Sequence, residues 1–305
     1  MRILFIGGTR FLGLAMAQEA LRRGHEVDVF HRGKTPAGTL QGATHRVGDR
    51  MTDLSALAKG EWDAVIDTCG YRPGHIETMA DALAGRHGNY VFVSSVSAYA
   101  GDIPARSDES APLASTAKLD MQALDTMPVD SETYGPLKVL CEAAVRARHA
   151  RHLIVRPVYV IGPHDYTPRF SHWVKLLAAG GAIDAPGPPE AAVQYIDARD
   201  LGNFVVDAVE QELQGAFNTA ATEPPFSFGD LLASVAAGVA PEGTRINWLS
   251  VEEAKASGKD YPLWHRGENL GIAAISSQAA RSHGLNCRPL SETAADVLGW
   301  LRATA

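Results

Sequence analysis

A chain of 305 residues has room for one large α/β domain, or for a nucleotide-binding domain with a smaller companion. Hydrophobic residues make up 46% and charged residues 21%, the balance of a soluble enzyme, and no apolar run is long enough for a membrane span. The formal net charge of −7 weighs against a general nucleic-acid surface. The scattered Cys69, Cys141 and Cys287 read as free thiols of a reducing, cytoplasmic setting, with no metal-ligand spacing.

In chain order, Ile3–Ile6, Glu26–His31, Ala64–Asp67 and Tyr90–Ser94 are predicted strands, with Thr44–Val47 a weaker one. Between them Leu12–Arg23, Asp53–Lys59 and Ile76–Gly85 have helical patterning. Strands apolar on both faces and separated by helices imply a parallel sheet covered on both sides, the doubly wound Rossmann-type α/β fold. Residues 101–128 are polar and Pro-bearing, a long excursion of the kind that often serves as a lid or binding loop. Ser131–Ala150 follows as a helix with Ser131 its candidate N-cap, then a strand over His152–Arg156. Beyond Pro157 the rhythm loosens. Phe170–Ala179, Leu201–Glu212 and Ser227–Gly238 are predicted helices, with Gln194–Asp197, Gly215–Thr219 and Arg245–Leu249 as strands. The expected division is a dinucleotide-binding domain over 1–162 and a substrate-binding region over 163–305, with about 194–220 returning to the first.

The segment from Gly7, Gly8 and Thr9 through Arg10, Phe11, Leu12 and Gly13 passes from strand to turn to helix. A pyrophosphate needs backbone free of Cβ atoms at the positive end of a helix, which this spacing supplies. At the end of the second strand His31 stands where an acid would bind the ribose hydroxyls of NAD. Arg10, Arg32 and Lys34 are cations suited to a 2′-phosphate. NADP(H) is therefore favoured over NAD(H).

Tyr134 and Lys138, four apart on a helix, share one face, and an ammonium beside a phenol favours proton exchange near neutral pH. Pro136 between them argues for an irregular or later helix start. Ser94 and Ser95 end a strand at the carboxyl edge of the sheet, where ligands of open α/β sheets bind, although strand termination and capping explain them too. Past Pro157, a cluster including Tyr159, Arg169 and Trp173 offers candidate substrate contacts, with Arg169 suited to an anionic group, although a folded loop with Trp173 in its core explains the cluster equally well.

With the turn over Gly7–Gly13, Gly48-Asp49, Ser95-Val96-Ser97-Ala98-Tyr99, Tyr134-Gly-Pro-Leu-Lys138, Arg156-Pro157, Gly162-Pro163 and the segment from Gln194 to Leu201, the chain resembles the extended and atypical short-chain dehydrogenase/reductases, the NAD-dependent epimerase/dehydratase family. That resemblance implies Tyr134 as catalytic acid/base, Lys138 as its tuner and ribose ligand, and Ser95 as orienter of the substrate oxygen. It implies Asp49 and Arg50 near the adenine, Cys69 and Gly70 along the cofactor, and Pro157 beside the nicotinamide. It also implies a homodimer seam formed by helices. Val96 and Ser97 stand where sugar dehydratases of the family carry an Asp-Glu pair, which sets dehydration aside and leaves Val96 as a substrate-side residue. The Gly-Gly-Thr-Arg-Phe-Leu-Gly turn is most similar to the atypical branch that includes chloroplast stem-loop RNA-binding proteins.

The expected function is NADP(H)-dependent hydride transfer to or from a carbonyl/alcohol carbon of a small molecule. A nucleotide-sugar epimerase with tightly bound NAD(P) is the alternative, and a cofactor-binding RNA-binding protein the alternative of another class.

Overall fold

The structure is a computed structural model that describes every residue except Thr35, Ala37, 266–269 and Ala305. Its centre is a seven-stranded parallel sheet with strand order β10-β6-β5-β4-β1-β2-β3. The strands are β1 (Arg2–Ile6), β2 (Glu26–His31), β3 (Thr44–Val47), β4 (Trp62–Asp67), β5 (His87–Val93), β6 (His152–Pro157) and, after a long detour, β10 (Gly215–Thr219). Alternation along each strand sends successive side chains to opposite faces. Ile3 and Phe5 of β1 join Val27, Val29, Ala64, Ile66, Leu153 and Val155 beneath helices α1 (Phe11–Arg22) and α5 (Ala198–Glu210). Leu4 and Ile6 join Phe30, Val65, Tyr90, Phe92 and Ile154 beneath α2 (Pro73–Leu83) and α3 (Tyr134–Arg148). Both faces are thus dry, which is why the strands read as nearly continuous apolar runs.

The expected fold class stands. The strand order turns back between β1 and β4, so the loops that follow their carboxyl ends diverge and open a crevice there.

The chain leaves the sheet after β6 through β7 (Tyr159–Ile161), α4 (Arg169–Ala179) and β8 (Ala182–Pro186). It returns by way of β9 (Tyr195–Asp197), which pairs with β7, then α5 and β10. The remainder is α6 (Phe228–Val239), β11 (Arg245–Leu249), α7 (Val251–Ala256), α8 (Gln278–Ser282) and α9 (Leu290–Ala303). A separate core of Phe170, Trp173, Leu177, Phe228, Leu231, Val235 and Val297 joins α4, α6 and α9, with the β8–β11 pair beside it.

Three sequence expectations change. The helix expected over Ser131–Ala150 begins at Tyr134: the Asp130 carboxylate accepts the N–H groups of Glu132 and Thr133, holding a turn where Ser131 was expected as cap. Pro136 then falls in the first helical turn, where a missing N–H costs nothing. Asp53–Lys59 forms only a 3-10 turn over Ser55–Leu57, because Asp53 ties down Ser55 and Gly60 follows almost at once. The excursion over 101–128 is no lid. It lines none of the main cavity; its first part packs against the C-terminal segment, with Arg106 N–H donating to Ala274 O, and its end lies on the loop after β4, with Arg72 donating to Met127 O at 2.6 Å.

Candidate functional site

The carboxyl edge of the sheet opens into a cavity of about 1410 Å³ lined by the glycine turn, by Ser95, Tyr134 and Lys138, and by Tyr159, Tyr166 and Arg169, with the Tyr166 ring 4.4 Å from the Arg10 guanidinium. That exceeds the usual 300–1,000 Å³ of a single small-ligand pocket. There is room for two ligands end to end.

Its first end is built by the turn between β1 and α1. Gly7 has φ +107°, a conformation that disfavours any side chain, and a Cβ there would stand 2.5 Å from Thr68 Oγ1. A Cβ on Gly13 would stand 2.9 Å from the Gly8 backbone, so the first turn of α1 lies directly on the loop. Arg10 precedes α1 without a side-chain cap, and the first helical turn carries no acidic residue. The positive helix end therefore faces the cavity without a carboxylate of its own, which fits a pyrophosphate. Thr9, Arg10, Phe11 and Leu12 line the wall beside it.

At the end of β2, His31, Arg32 and Lys34 line the same end. The Gly33 N–H donates to His31 Nδ1 at 3.1 Å, which puts the ring hydrogen on Nε2, 2.9 Å from His45 Nδ1. Burial and the neighbouring His45 hold the His31 imidazole below its ordinary pKa. Asp49 also lines this end, its carboxylate capping the Met51 N–H at 2.9 Å. Arg50 reaches the wall, but its guanidinium is committed to Asp67 at 2.6 Å and to Cys69 O at 2.8 Å. Burial opposes ionisation of Asp67, yet Arg50, the Cys69 N–H and the Tyr90 hydroxyl together hold its pKa below normal. Cys69 lines the cavity with its thiol pushed up to about 11 by burial, an unreactive state at neutral pH.

The centre is formed where α3 meets the ends of β5 and β6. Lys138, almost fully buried, donates to Gly70 O and Val93 O, each at 2.8 Å, and lies 5.8 Å from the centre of the Tyr134 ring. Two of its three hydrogens are spoken for and one is left. Ser95 Oγ accepts the Ser97 N–H at 3.1 Å, so it caps the turn over Val96–Ala98 while also lining the cavity. A Cβ on Gly135 would stand 2.2 Å from Ser97 O, so the glycine lets the first turn of α3 rest on the turn that Ser95 caps. Val96 and Pro157 complete this wall.

Three of the expected site residues do not reach the cavity wall. Gly8 packs toward Phe5 and Val29, and Gly70 contributes only its carbonyl, to Lys138. Trp173 is fully buried in the second core, its indole N–H donating to Pro262 O at 2.8 Å, because the face of α4 that carries it turns inward. The sequence reading missed Tyr71, Arg72, His75, Tyr166 and Gln194, all on the wall. The loop after β4 leaves the sheet at the turning point of the strand order, which is the signal that would have found Tyr71 and its neighbours. Among the described residues no group of three or more His, Cys, Asp or Glu side chains is placed to hold a metal ion, and no helix is long and apolar enough to cross a membrane.

The chain belongs to the NAD-dependent epimerase/dehydratase family, whose model matches residues 3–220. Its glycine turn and the cavity beside it suit a nicotinamide cofactor. Among curated proteins it is 28% identical over 228 residues to the chloroplast stem-loop binding protein of 41 kDa b of Arabidopsis thaliana, a match covering 69% of this chain and 56% of that protein. The chain thus spans little more than half the length of this relative. Among solved structures, UDP-N-acetylglucosamine 4-epimerase from Bacillus cereus superposes with TM-score 0.70 at 16% identity, covering 99% of both chains. The Thermus thermophilus UDP-glucose 4-epimerase complex with NAD gives 0.68 at 17% identity over 100% of both. A human epimerase family protein with NADPH gives 0.67 at 19%, covering 96% of this chain and 99% of that one. At such identities the likeness is one of fold.

Proposed function

We propose that this protein is an NADP(H)-dependent oxidoreductase acting on a carbonyl/alcohol carbon of a small molecule. The observation that carries the reading is the continuity of one cavity from the glycine turn to Ser95, Tyr134 and Lys138. Gly7 to Gly13 would cradle the pyrophosphate, and Lys138 would hold the nicotinamide ribose with its remaining hydrogen. Bound nicotinamide supplies the hydride donor or acceptor. Tyr134 exchanges a proton with the substrate oxygen, and Ser95 orients that oxygen by a hydrogen bond. Lys138 keeps its ammonium beside the phenol because two backbone carbonyls fix it there.

The preference for the 2′-phosphorylated cofactor is supported by Arg32 and Lys34, which make no ion pair among the described residues, and by His31 in place of an acid. Binding of NADPH and NADH, followed by a screen of carbonyl compounds, tests the reading. Tyr134→Phe is expected to lower turnover by about 10²–10⁴-fold with cofactor affinity nearly unchanged. Unaltered turnover would remove Tyr134 from the mechanism.

The epimerase reading is favoured by the sugar-nucleotide epimerases among the structural neighbours. It predicts cofactor that copurifies with the protein and no net change in reduced nicotinamide during turnover. The RNA-binding reading is favoured by the stem-loop binding relative. It predicts salt-sensitive RNA binding that survives Tyr134→Phe.

A further inference from the structure

We infer that Tyr71 is a positioning residue for Lys138: its ring closes an aromatic cage that holds the ammonium in place for Tyr134 and the cofactor ribose. The inference rests on the proposed role of Lys138 as partner of both.

Lys138 is an almost fully buried ammonium that makes no ion pair among the described residues. A charge so placed is costly unless its surroundings replace the lost water. Two short segments do this in the same way, each with one carbonyl and one ring. Residues 70–71 give Gly70 O at 2.8 Å and the Tyr71 ring, its centre 5.1 Å from Nζ. Residues 92–93 give the Phe92 ring at 4.7 Å and Val93 O at 2.8 Å. The Tyr134 ring, at 5.8 Å, is a third aromatic neighbour. An ammonium is drawn to the negative face of a ring, and more strongly where water is excluded. Phe92 is fully buried, whereas Tyr71 lines the cavity and is partly exposed. The Tyr71 ring therefore takes the solvent contact on its side of the ammonium.

Its neighbours in the chain set Tyr71 in that place. A Cβ on Gly70 would stand 2.7 Å from Phe92 Cε2 and 2.9 Å from Ile76 Cδ1, so the glycine lets the loop lie on Phe92 and carry Tyr71 across Lys138. On one side, the Cys69 N–H donates to Asp67 Oδ1 at 3.0 Å and its carbonyl accepts from Arg50 at 2.8 Å. On the other, Arg72 donates to Met127 O at 2.6 Å. A ring anchored on both sides is preorganised, and it costs no ordering when a ligand arrives.

The test follows the ammonium itself, in the full chain with isotopic nitrogen in its lysines. A buried, hydrogen-bonded ammonium exchanges its hydrogens slowly and gives a proton–nitrogen cross-peak near neutral pH, and Lys138→Arg identifies that peak. Tyr71→Phe, which keeps the ring, should leave the exchange rate as in the wild type. Tyr71→Leu, which keeps apolar bulk without a π face, should raise it about tenfold or more. Titration with NADPH and NADH gives the second readout. Tyr71→Leu should weaken the tighter cofactor by about 3–30-fold and Tyr71→Phe hardly at all. In a Lys138→Met background the Tyr71→Leu change should add nothing, because Tyr71 acts through the lysine. An exchange rate unmoved by Tyr71→Leu, or a Tyr71→Phe protein as impaired as Tyr71→Leu, would overturn the cage. So would a Tyr71→Leu loss that persists in full without Lys138, which would make Tyr71 a direct cofactor contact. Binding of neither cofactor would sink the proposed function instead, and the exchange rates would then decide on the cage alone.

Discussion

Glu142 and Arg156 form a buried two-pronged ion pair, with Nε 2.9 Å from Oε1 and Nη2 2.7 Å from Oε2. Oε1 also accepts the Ser94 hydroxyl at 2.7 Å, and Arg156 reaches the Tyr99 hydroxyl at 2.7 Å. One turn along α3 from Lys138, this carboxylate therefore ties α3 to the strand end that carries Ser95 and to the strand that carries Pro157. Burial opposes its ionisation, but Arg156 and Ser94 outweigh that and hold its pKa below the ordinary value. Glu142→Gln leaves the Arg156 charge uncompensated and is expected to cost about 3–5 kcal/mol. The pair Glu142→Leu with Arg156→Met should recover most of it. Chemical denaturation of the wild type and the two variants measures this, and a Glu142→Gln protein as stable as the wild type would show that the pair contributes nothing. Because the folded pKa is depressed, the wild-type contribution is full above about pH 4.3, the unfolded value for Glu, and fades as pH falls through the folded one.

Gly135→Ala should shift Tyr134 away from the turn that Ser95 caps. The added Cβ meets Ser97 O at 2.2 Å, so the start of α3 must move away. A displacement of about 1 Å is enough to lower turnover by about 100-fold. The glycine turn between β1 and α1 is untouched, so cofactor affinity should stay within a few-fold. Steady-state kinetics beside cofactor titration read the two effects separately; equal losses in both would point to general unfolding.

Arg32→Ala combined with Lys34→Ala should weaken NADPH by about 10–100-fold and NADH hardly at all. Fluorescence titration with each cofactor gives the ratio. A parallel loss for both would assign these cations to the shared pyrophosphate.

His149 gives the fold a dependence on pH away from the site. Its ring stacks on Tyr90 at 3.8 Å, with Nε2 buried and unpartnered, and burial together with His87 and Arg148 lowers its pKa to about 3. The folded ring is neutral, while the unfolded one takes a proton near pH 6.5. This stability is complete above about pH 6.5 and declines as pH falls toward 3, by about 1.4 kcal/mol per unit at most. His149→Phe keeps the stack and removes the titration, so its melting temperature should fall less between about pH 6.5 and 4. Parallel curves for the two proteins would exclude the effect.

The sheet was legible because its central strands are apolar on both faces and are punctuated by glycine or a polar turn, whereas the edge strand β3, Thr-His-Arg-Val and largely exposed, carries a weaker signal. The glycine turn and the pair Tyr134 and Lys138 were legible because their chemistry is local in the chain. Trp173 was misplaced for the opposite reason: the residues that decide which way α4 turns, Phe228 and Val297, lie far along the chain. Tyr71 and Tyr166 escaped although they lie beside Cys69-Gly70 and within the stretch from Tyr159 to Trp173, because which residues of those loops reach the wall is decided by the turning point of the sheet and by the loop before α4. The helix α9 and the pairing of β8 with β11 likewise depend on contacts that local pattern does not encode.

The placement of β10 has a consequence for how the molecule comes into being. The outermost strand beside β6 is supplied only after the chain has made β7, α4, β8 and β9, with Gly215–Thr219 aligned against Leu153–Pro157. A ribosome must therefore deliver α4 and β8, the first part of the second core, before the sheet has its last strand. Neither half can be cut away as an independent piece: a break between α4 and β9 leaves Phe217 and the whole of α5, which roofs α1, on the wrong fragment. Such long-range closure slows folding and makes the two cores rise or fall together.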